Sequence, residues 1–191
     1  MVMSFQSDEI VKRDLLQRDG IEFVEIDIRY PSFKAEGAKG RYQKSIKTIN
    51  KFYDQISRLC FDYAEKKLFV NAVAEYDSDP NPRKRFTHRR YVYSIRYKIT
   101  FTSVNFISVR IDTTLHMGGR RLSFRRSAQT WDLRRGRLCP AYLFASPDKK
   151  AKKLIVGKEG GFYLEDGRVV VFTNPTGDKG YREIPLPRTQ S

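Results

Sequence analysis

Three kinds of hydrophobic spacing follow one another along the chain, and each dictates an element. Between Gly20 and Pro31, Val24, Ile26, Ile28 and Tyr30 alternate with Glu25, Asp27 and Arg29. Alternation puts the apolar set on one face of a pleated ribbon, so the segment predicts a half-buried strand ended by Pro31. From Arg41 the spacing widens to steps of three and four, through Tyr42, Ile46, Ile49, Tyr53, Ile56, Cys60 and Tyr63. That is the stripe of an amphipathic helix, with Lys44, Lys47, Lys51, Asp54, Arg58, Asp62 and Lys66 on its remaining faces. The helix is expected from about Arg41 to Ala74, short of Pro80 and Pro82.

The period returns to two at Tyr91. Tyr91, Tyr93, Ile95, Tyr97, Ile99 and Phe101 fall on one side of the ribbon, and Val92, Ser94, Arg96, Lys98 and Thr100 on the other. One side should pack on the helix while the other meets solvent or a ligand. Further strands are expected at about Asn105–Thr114 and Leu122–Leu133, with Gly136 supplying the positive φ of the turn that follows. Pro140–Phe144 is a short apolar segment, Ser146–Ile155 suggests one or two helical turns, and Asn174–Gly180 reads as a loop. Phe162–Phe172 has the signature of a hairpin turning at Asp166-Gly167, and Tyr181–Arg188 that of an edge strand, because of Pro185 and Pro187. Before Gly20 the pattern is thin (Ile10, Val11, Leu15, Leu16), which suggests an N-terminal arm or short helix over residues 1–20 ahead of a domain at 21–188. The order of strand, long helix and strand meander predicts an α+β fold, a mainly antiparallel sheet with one long amphipathic helix packed on one face.

Composition sharpens the picture at two points. Of 191 residues, 40% are hydrophobic, enough for a core, and the 11 Tyr and 13 Phe, which far outnumber the single Trp, fit the half-buried surface of a sheet. The net charge is +15, which attracts polyanions and acidic proteins. The two cysteines, Cys60 and Cys139, are too few for a disulfide framework and have no metal-ligand spacing. Neither a signal peptide nor the roughly 20-residue apolar run needed to span a bilayer occurs, so the expectation is a cytoplasmic protein without a membrane span.

Candidate chemistry is one-sided. His88 lies beside Arg89 and Arg90, and His116 ends a strand; surface or packing roles suit both better than catalysis. Asp132, next to Arg134 and Arg135, suits a turn cap better than a base. Gly157, Gly160 and Gly161 lack the Lys-Ser/Thr ending of a phosphate loop. The expectation is a non-catalytic domain with neither metal nor cofactor. Its candidate partner-binding residues are Arg90, Arg96, Lys98, Arg120, Arg121, Arg125, Arg126, Arg134 and Arg135, within a wider basic set that includes Arg83, Lys84, Arg85, Arg89 and Arg137. Arginine dominates, and its planar fork suits carboxylate and phosphate. Three readings stay open: an arginine-rich sheet surface holding an acidic protein or polymer, non-specific phosphate contacts to nucleic acid with tyrosines stacking on bases, and charge that only keeps strand edges apart.

Several local words, in order, resemble the domain at the C-terminus of RsiV-type anti-sigma factors, a bacterial family that also accompanies peptidoglycan deacetylases. They are Tyr30-Pro31, Ile49-Asn50, Asn105 to Ser108, Gly118-Gly119, Ser127 to Phe144, Phe162 to Leu164 and Gly180 to Pro185. Arg120-Arg121 stand where that family often carries Ala-His. The resemblance covers about residues 21–188. It implies the α+β fold read above and a role in capturing a macromolecule, as those domains do in sensing lysozyme.

Overall fold

The structure is a computed structural model that describes residues 4–37, 40–81, 90–118, 121–145, 160–174 and 182–188. The α+β expectation holds. A six-stranded sheet is built from β1 (Ser4–Arg18), β2 (Ile21–Glu36), β3 (Tyr91–Thr102), β4 (Phe106–Met117), β5 (Arg121–Asp132) and β6 (Arg137–Leu138), in chain order. Each neighbouring pair is antiparallel except β2 and β3. That parallel step needs a crossover, which the helical segment supplies. It comprises α1 (Arg41–Tyr63), a π-turn at Ala64–Leu68 and α2 (Phe69–Ser78). The helical run is therefore 38 residues long and four residues longer at its C-terminal end than the expected stop at Ala74.

The helix covers one face of the sheet. Ile46, Ile49 and Tyr53 of α1 bury against Val24, Ile26 and Ile28 of β2, Tyr91, Tyr93 and Ile95 of β3, and Ile107, Val109 and Ile111 of β4. Below Ser57 the buried line continues as Ala64, Leu68 and Ala72, so Tyr63, which the stripe placed in the core, is 46% exposed. Asn50 locks α1 to β2: its side-chain amide donates to the Phe33 carbonyl at 2.9 Å, and its oxygen accepts from the Phe33 N–H at 2.8 Å. Trp131 of β5 reaches into the same core and donates its indole N–H to the Tyr53 hydroxyl at 3.1 Å. Burial pushes the Tyr53 phenol pKa well above its ordinary value.

A three-stranded antiparallel sheet, β7 (Gly160–Glu165), β8 (Arg168–Thr173) and β9 (Arg182–Pro187), lies against the other face of β3, β4 and β5. Ser108 of β4 pins it, accepting the Leu164 N–H at 3.0 Å while sharing a 2.9 Å hydrogen bond with the Thr130 hydroxyl. Both hydroxyls are buried. Phe101, Phe106, Phe144, Phe162, Leu164 and Val169 fill the space around them.

Four sequence expectations need correction. Residues 4–18 are not a helix, and as an extended segment they are more than an arm: they form a full strand of the main sheet, in register with β2. Pro31 does not end β2, which continues to Glu36. After Ile28 the strand has no pairing with β3, so a residue without an N–H costs no ladder bond on that side. The buried line of the helix leaves the counted stripe at Ser57, ahead of the π-turn at Ala64–Leu68, so it passes through Ala64 and Leu68 rather than Tyr63. Finally, Phe101 does not share a face with Tyr91 to Ile99: a bulge at Thr100 pairs Phe101 with Ser108 and turns it into the second core. The helical turns expected at 146–155 and most of the loop at 174–180 lie outside the described residues.

Candidate anion-binding cleft

The structure distributes the sequence-derived cations over several surfaces. Arg90 grips Glu22 at 2.5 Å and Glu25 at 2.7 Å. Arg96 reaches across from β3 to the Asp27 carboxylate at 2.7 Å and its carbonyl at 2.8 Å. Asp27 also receives Arg29 and Arg13. Partial burial raises the Asp27 pKa, but the hydrogen bond from Arg29 and the charge of Arg96 outweigh it and hold the carboxyl below its ordinary value. Lys98 is exposed on the same face of β3, and Arg125 is exposed on β5. Arg126 lies between the two sheets, its side chain 10% exposed, bonded to Asp112 at 2.5 and 2.9 Å and to Glu183 at 2.7 Å. Arg121 opens β5 opposite Met117. Arg120, Arg83, Lys84, Arg85, Arg89 and His88 lie outside the described residues. The tyrosines that could have stacked on bases are not on the surface either: Tyr91 and Tyr93 are buried under the helix, and Tyr97 is half-buried.

Arg134 and Arg135 behave differently. They sit in the turn between β5 and β6, where Asp132 caps the backbone by accepting the Arg134 N–H at 2.8 Å and the Arg135 N–H at 3.2 Å. Gly136 completes the turn with φ 62°, and the turn presses on the first turns of α1. A Cβ at Gly136 would lie 3.0 Å from the Ser45 hydroxyl and 3.2 Å from the Ser45 Cα, so a side chain there would push the two apart. Beside this close approach is a cleft of about 340 Å³ lined by Arg41, Lys44, Ser45, Thr48, Arg134, Arg135 and Gly136.

Four cations thus meet in one concavity, and among the described residues no carboxylate lines it. Arg135 touches Asp132 at 3.4 Å, whereas Arg41, Lys44 and Arg134 form no ion pair among the described residues. Ser45 donates its hydroxyl to the Arg41 carbonyl at 3.0 Å, and Thr48 to that of Lys44 at 3.1 Å. Their protons are therefore engaged, and the side-chain donors offered to a ligand are the guanidinium and ammonium groups. α1 begins at Gly40 without a side-chain cap and has no acid in its first turn, so nothing there offsets the positive helix end. Like charges held this close repel one another, and a multivalent anion relieves that repulsion.

Sequence reasoning found half of this site. Arg41 and Lys44 lie on the polar side of a helical stripe, which reads as a solvated face. The turn that docks beside them comes from a segment some ninety residues later. The one local signal was Gly136, needed both for its φ and for the close approach.

Other candidates are quieter. Burial, followed by the nearby Asp132 carboxylate, pushes the Cys139 thiol up to about 11, which keeps it protonated at neutral pH. His116 sits on β4 opposite Val92 and Leu122. Among the described residues no group of three or more His, Cys, Asp or Glu side chains gathers, and no helix is long and apolar enough to cross a membrane.

No protein-family model matches the sequence, and no curated protein matches it. Solved structures do. A DUF3298 family member from Bacteroides fragilis superposes with a TM-score of 0.62 at 14% identity, covering 97% of this chain and 90% of that one. A DUF3298 family protein from Pseudomonas aeruginosa gives 0.57 at 10% identity, covering 96% and 91%. At these identities the likeness is one of architecture: the chain has the fold of DUF3298 family proteins, a domain of unknown function.

Proposed function

We propose that this chain is a non-catalytic binding module that captures an acidic protein or polymer, with Arg41, Lys44, Arg134 and Arg135 as the point of capture. The observation behind the reading is the cleft itself. It brings four cations from two distant segments together, with no lining carboxylate among the described residues. The other arginines carry less of it, since Arg90, Arg96 and Arg126 already hold acidic residues of the same chain. The resemblance to RsiV-type domains supports capture of a macromolecule rather than turnover of a small molecule. The partner is sought among acidic proteins before nucleic acids, because the β3 tyrosines within the basic meander face the helix and offer no stacking platform there.

The test is a fluorescence titration with poly-glutamate at low and high salt. Binding is expected at low ionic strength and should fade as salt rises, because screening shortens from about 10 Å at 0.1 M to about 3 Å at 1 M. Reversing Arg134 and Arg135 to Glu should weaken binding at least about tenfold, whereas reversing Lys98 and Arg125 should change it little. Equal losses from both pairs would overturn the cleft as the site. A single-stranded oligonucleotide of equal charge that binds far more tightly would replace the acidic-protein reading with a nucleic-acid one.

A further inference from the structure

The main sheet ends in a strand that the fold leaves open. β1 is 15 residues long and pairs only with β2 among the described residues, so about half of its backbone N–H and C=O groups point away from the sheet. The other edges are better defended. β6 is two residues long and leaves most of β5 without a strand partner on that side among the described residues, but there Asn174 accepts the Arg126 N–H and donates to its carbonyl, and the Cys139 N–H donates to the Thr130 carbonyl. β7 is six residues long, and β9 carries Pro185 and Pro187. β1 contains neither Pro nor Gly. It is also locally neutral in a chain of net charge +15, with Asp8, Glu9 and Asp14 balancing Lys12, Arg13 and Arg18. The strand itself therefore adds nothing to the general self-repulsion of the molecule.

We propose that β1 pairs antiparallel with β1 of a second copy, joining two six-stranded sheets into one, and that the two-fold axis passes through Ile10. Among centres from Asp8 to Asp14, which overlap the longest stretches of the strand, the charges select this register. Backbone groups facing outward alternate along the strand, so opposed residues must share that alternation, and a two-fold pairing is centred on a residue. Centring on Glu9 sets that carboxylate against its own copy. Centring on Val11 opposes Asp8 to Asp14. Centring on Lys12 or Arg13 opposes each cation to itself. Centring on Ile10 opposes Asp8 to Lys12 of the second copy, twice by symmetry, and sets no like charges against each other.

The side chains are placed for it. Ile10 packs on the rim of the helix-side core, half-buried, and the same residue of a second copy would complete its cover. Lys12 lies on that face too, over the Phe61 ring at 5.7 Å. Asp8 is held only by Lys34, itself 66% exposed, a surface pair of small worth. On the opposite face Val11 and Leu15, 45% and 36% exposed, lose water in the joined sheet.

Sedimentation equilibrium of the full chain tests this. The wild type should run as a dimer of about twice 22.4 kDa. Asp8→Lys and Lys12→Asp should each weaken dimerisation by about tenfold, and the two combined should restore it, because the cross-strand pair is then reversed rather than lost. Ile10→Cys should cross-link to its own copy under mild oxidation, while Asp14→Cys, which faces Gln6 of the second copy, should not. A monomer at the highest soluble concentration would overturn the proposal. So would a dimer indifferent to both single swaps.

Discussion

Gly136 and Gly167 form a natural pair of experiments on how tightly the turn carrying Arg134 and Arg135 is pressed onto α1. Both have positive φ, 62° and 71°. An Ala at either must adopt a left-handed conformation, which costs about 1–2 kcal/mol, partly offset by the smaller entropy of the unfolded chain. At Gly167 nothing lies within 4 Å of the added methyl group, so strain is the whole effect, about 1 kcal/mol. At Gly136 the methyl group would also meet Ser45, and the 3.2 Å contact is with a Cα of the helix backbone, which cannot rotate away. Overpacking of that kind adds about 1–2 kcal/mol. For a chain of this size each kcal/mol lowers Tm by about 2–4 °C, so Gly136→Ala should melt about 2–8 °C below Gly167→Ala. Calorimetry or circular dichroism on the two variants reads the difference directly. The Gly136 variant should also bind poly-glutamate more weakly although no charge has been removed, because the turn no longer sits where its arginines meet Arg41 and Lys44. Equal melting temperatures would refute the close packing on which the cleft depends.

Three further outcomes follow from the packing. Trp131→Phe leaves the buried Tyr53 hydroxyl without its donor and opens a cavity where the second indole ring was, and urea titration should show a loss of about 2–4 kcal/mol. Ser108→Ala removes the acceptor for the Leu164 N–H, so hydrogen exchange should speed up in β7 while the amides of β2 stay protected. Asp27 contributes to stability when ionised, since its folded pKa is lowered. That contribution is present above the ordinary carboxylate range of about 4 and is lost as pH falls through the lower folded value. Asp27→Asn should therefore be about 1 kcal/mol less stable than wild type at pH 7, with the gap closing in acid-denaturation curves toward the bottom of the pH range.

Much of this fold could be read from spacing. Alternation at Val24–Tyr30 and Tyr91–Ile99 faithfully reports which side chains face the helix, because those strands are covered on that side by one amphipathic rod. Asp132 at its turn and Asp166-Gly167 at its hairpin were legible from local backbone chemistry. The misreadings share a cause, which is that tertiary context changes what a residue type means. Pro31 ends a strand only where a neighbour needs its N–H. Phe101 leaves the helix face because of one extra residue at Thr100, and no count of intervals reveals a bulge. β1 has too few apolar positions to announce itself, since its register is set by pairing with β2 rather than by its own core face.

The functional residues show the same limit more sharply. A density of arginine is visible in one dimension, but its consequence depends on where the carboxylates fold. Glu22, Glu25, Asp27 and Glu183, from strands far away in the chain, and Asp112, from the neighbouring strand, neutralise Arg90, Arg96 and Arg126. What remains available is the smaller set at the Gly136 turn, joined by two helix residues whose spacing marked only a polar face. Buried tyrosines on β3 likewise exchange an imagined stacking platform for a core.

The most direct measurement compares two variants of equal charge in poly-glutamate binding at low salt. One carries Ala at Arg41, Lys44, Arg134 and Arg135, and the other carries Ala at Arg90, Arg96, Lys98 and Arg125. The account predicts that the first loses most of the affinity of the native protein while the second keeps most of it. Equal affinities for the two would show that net charge, and no particular cleft, attracts the acidic chain.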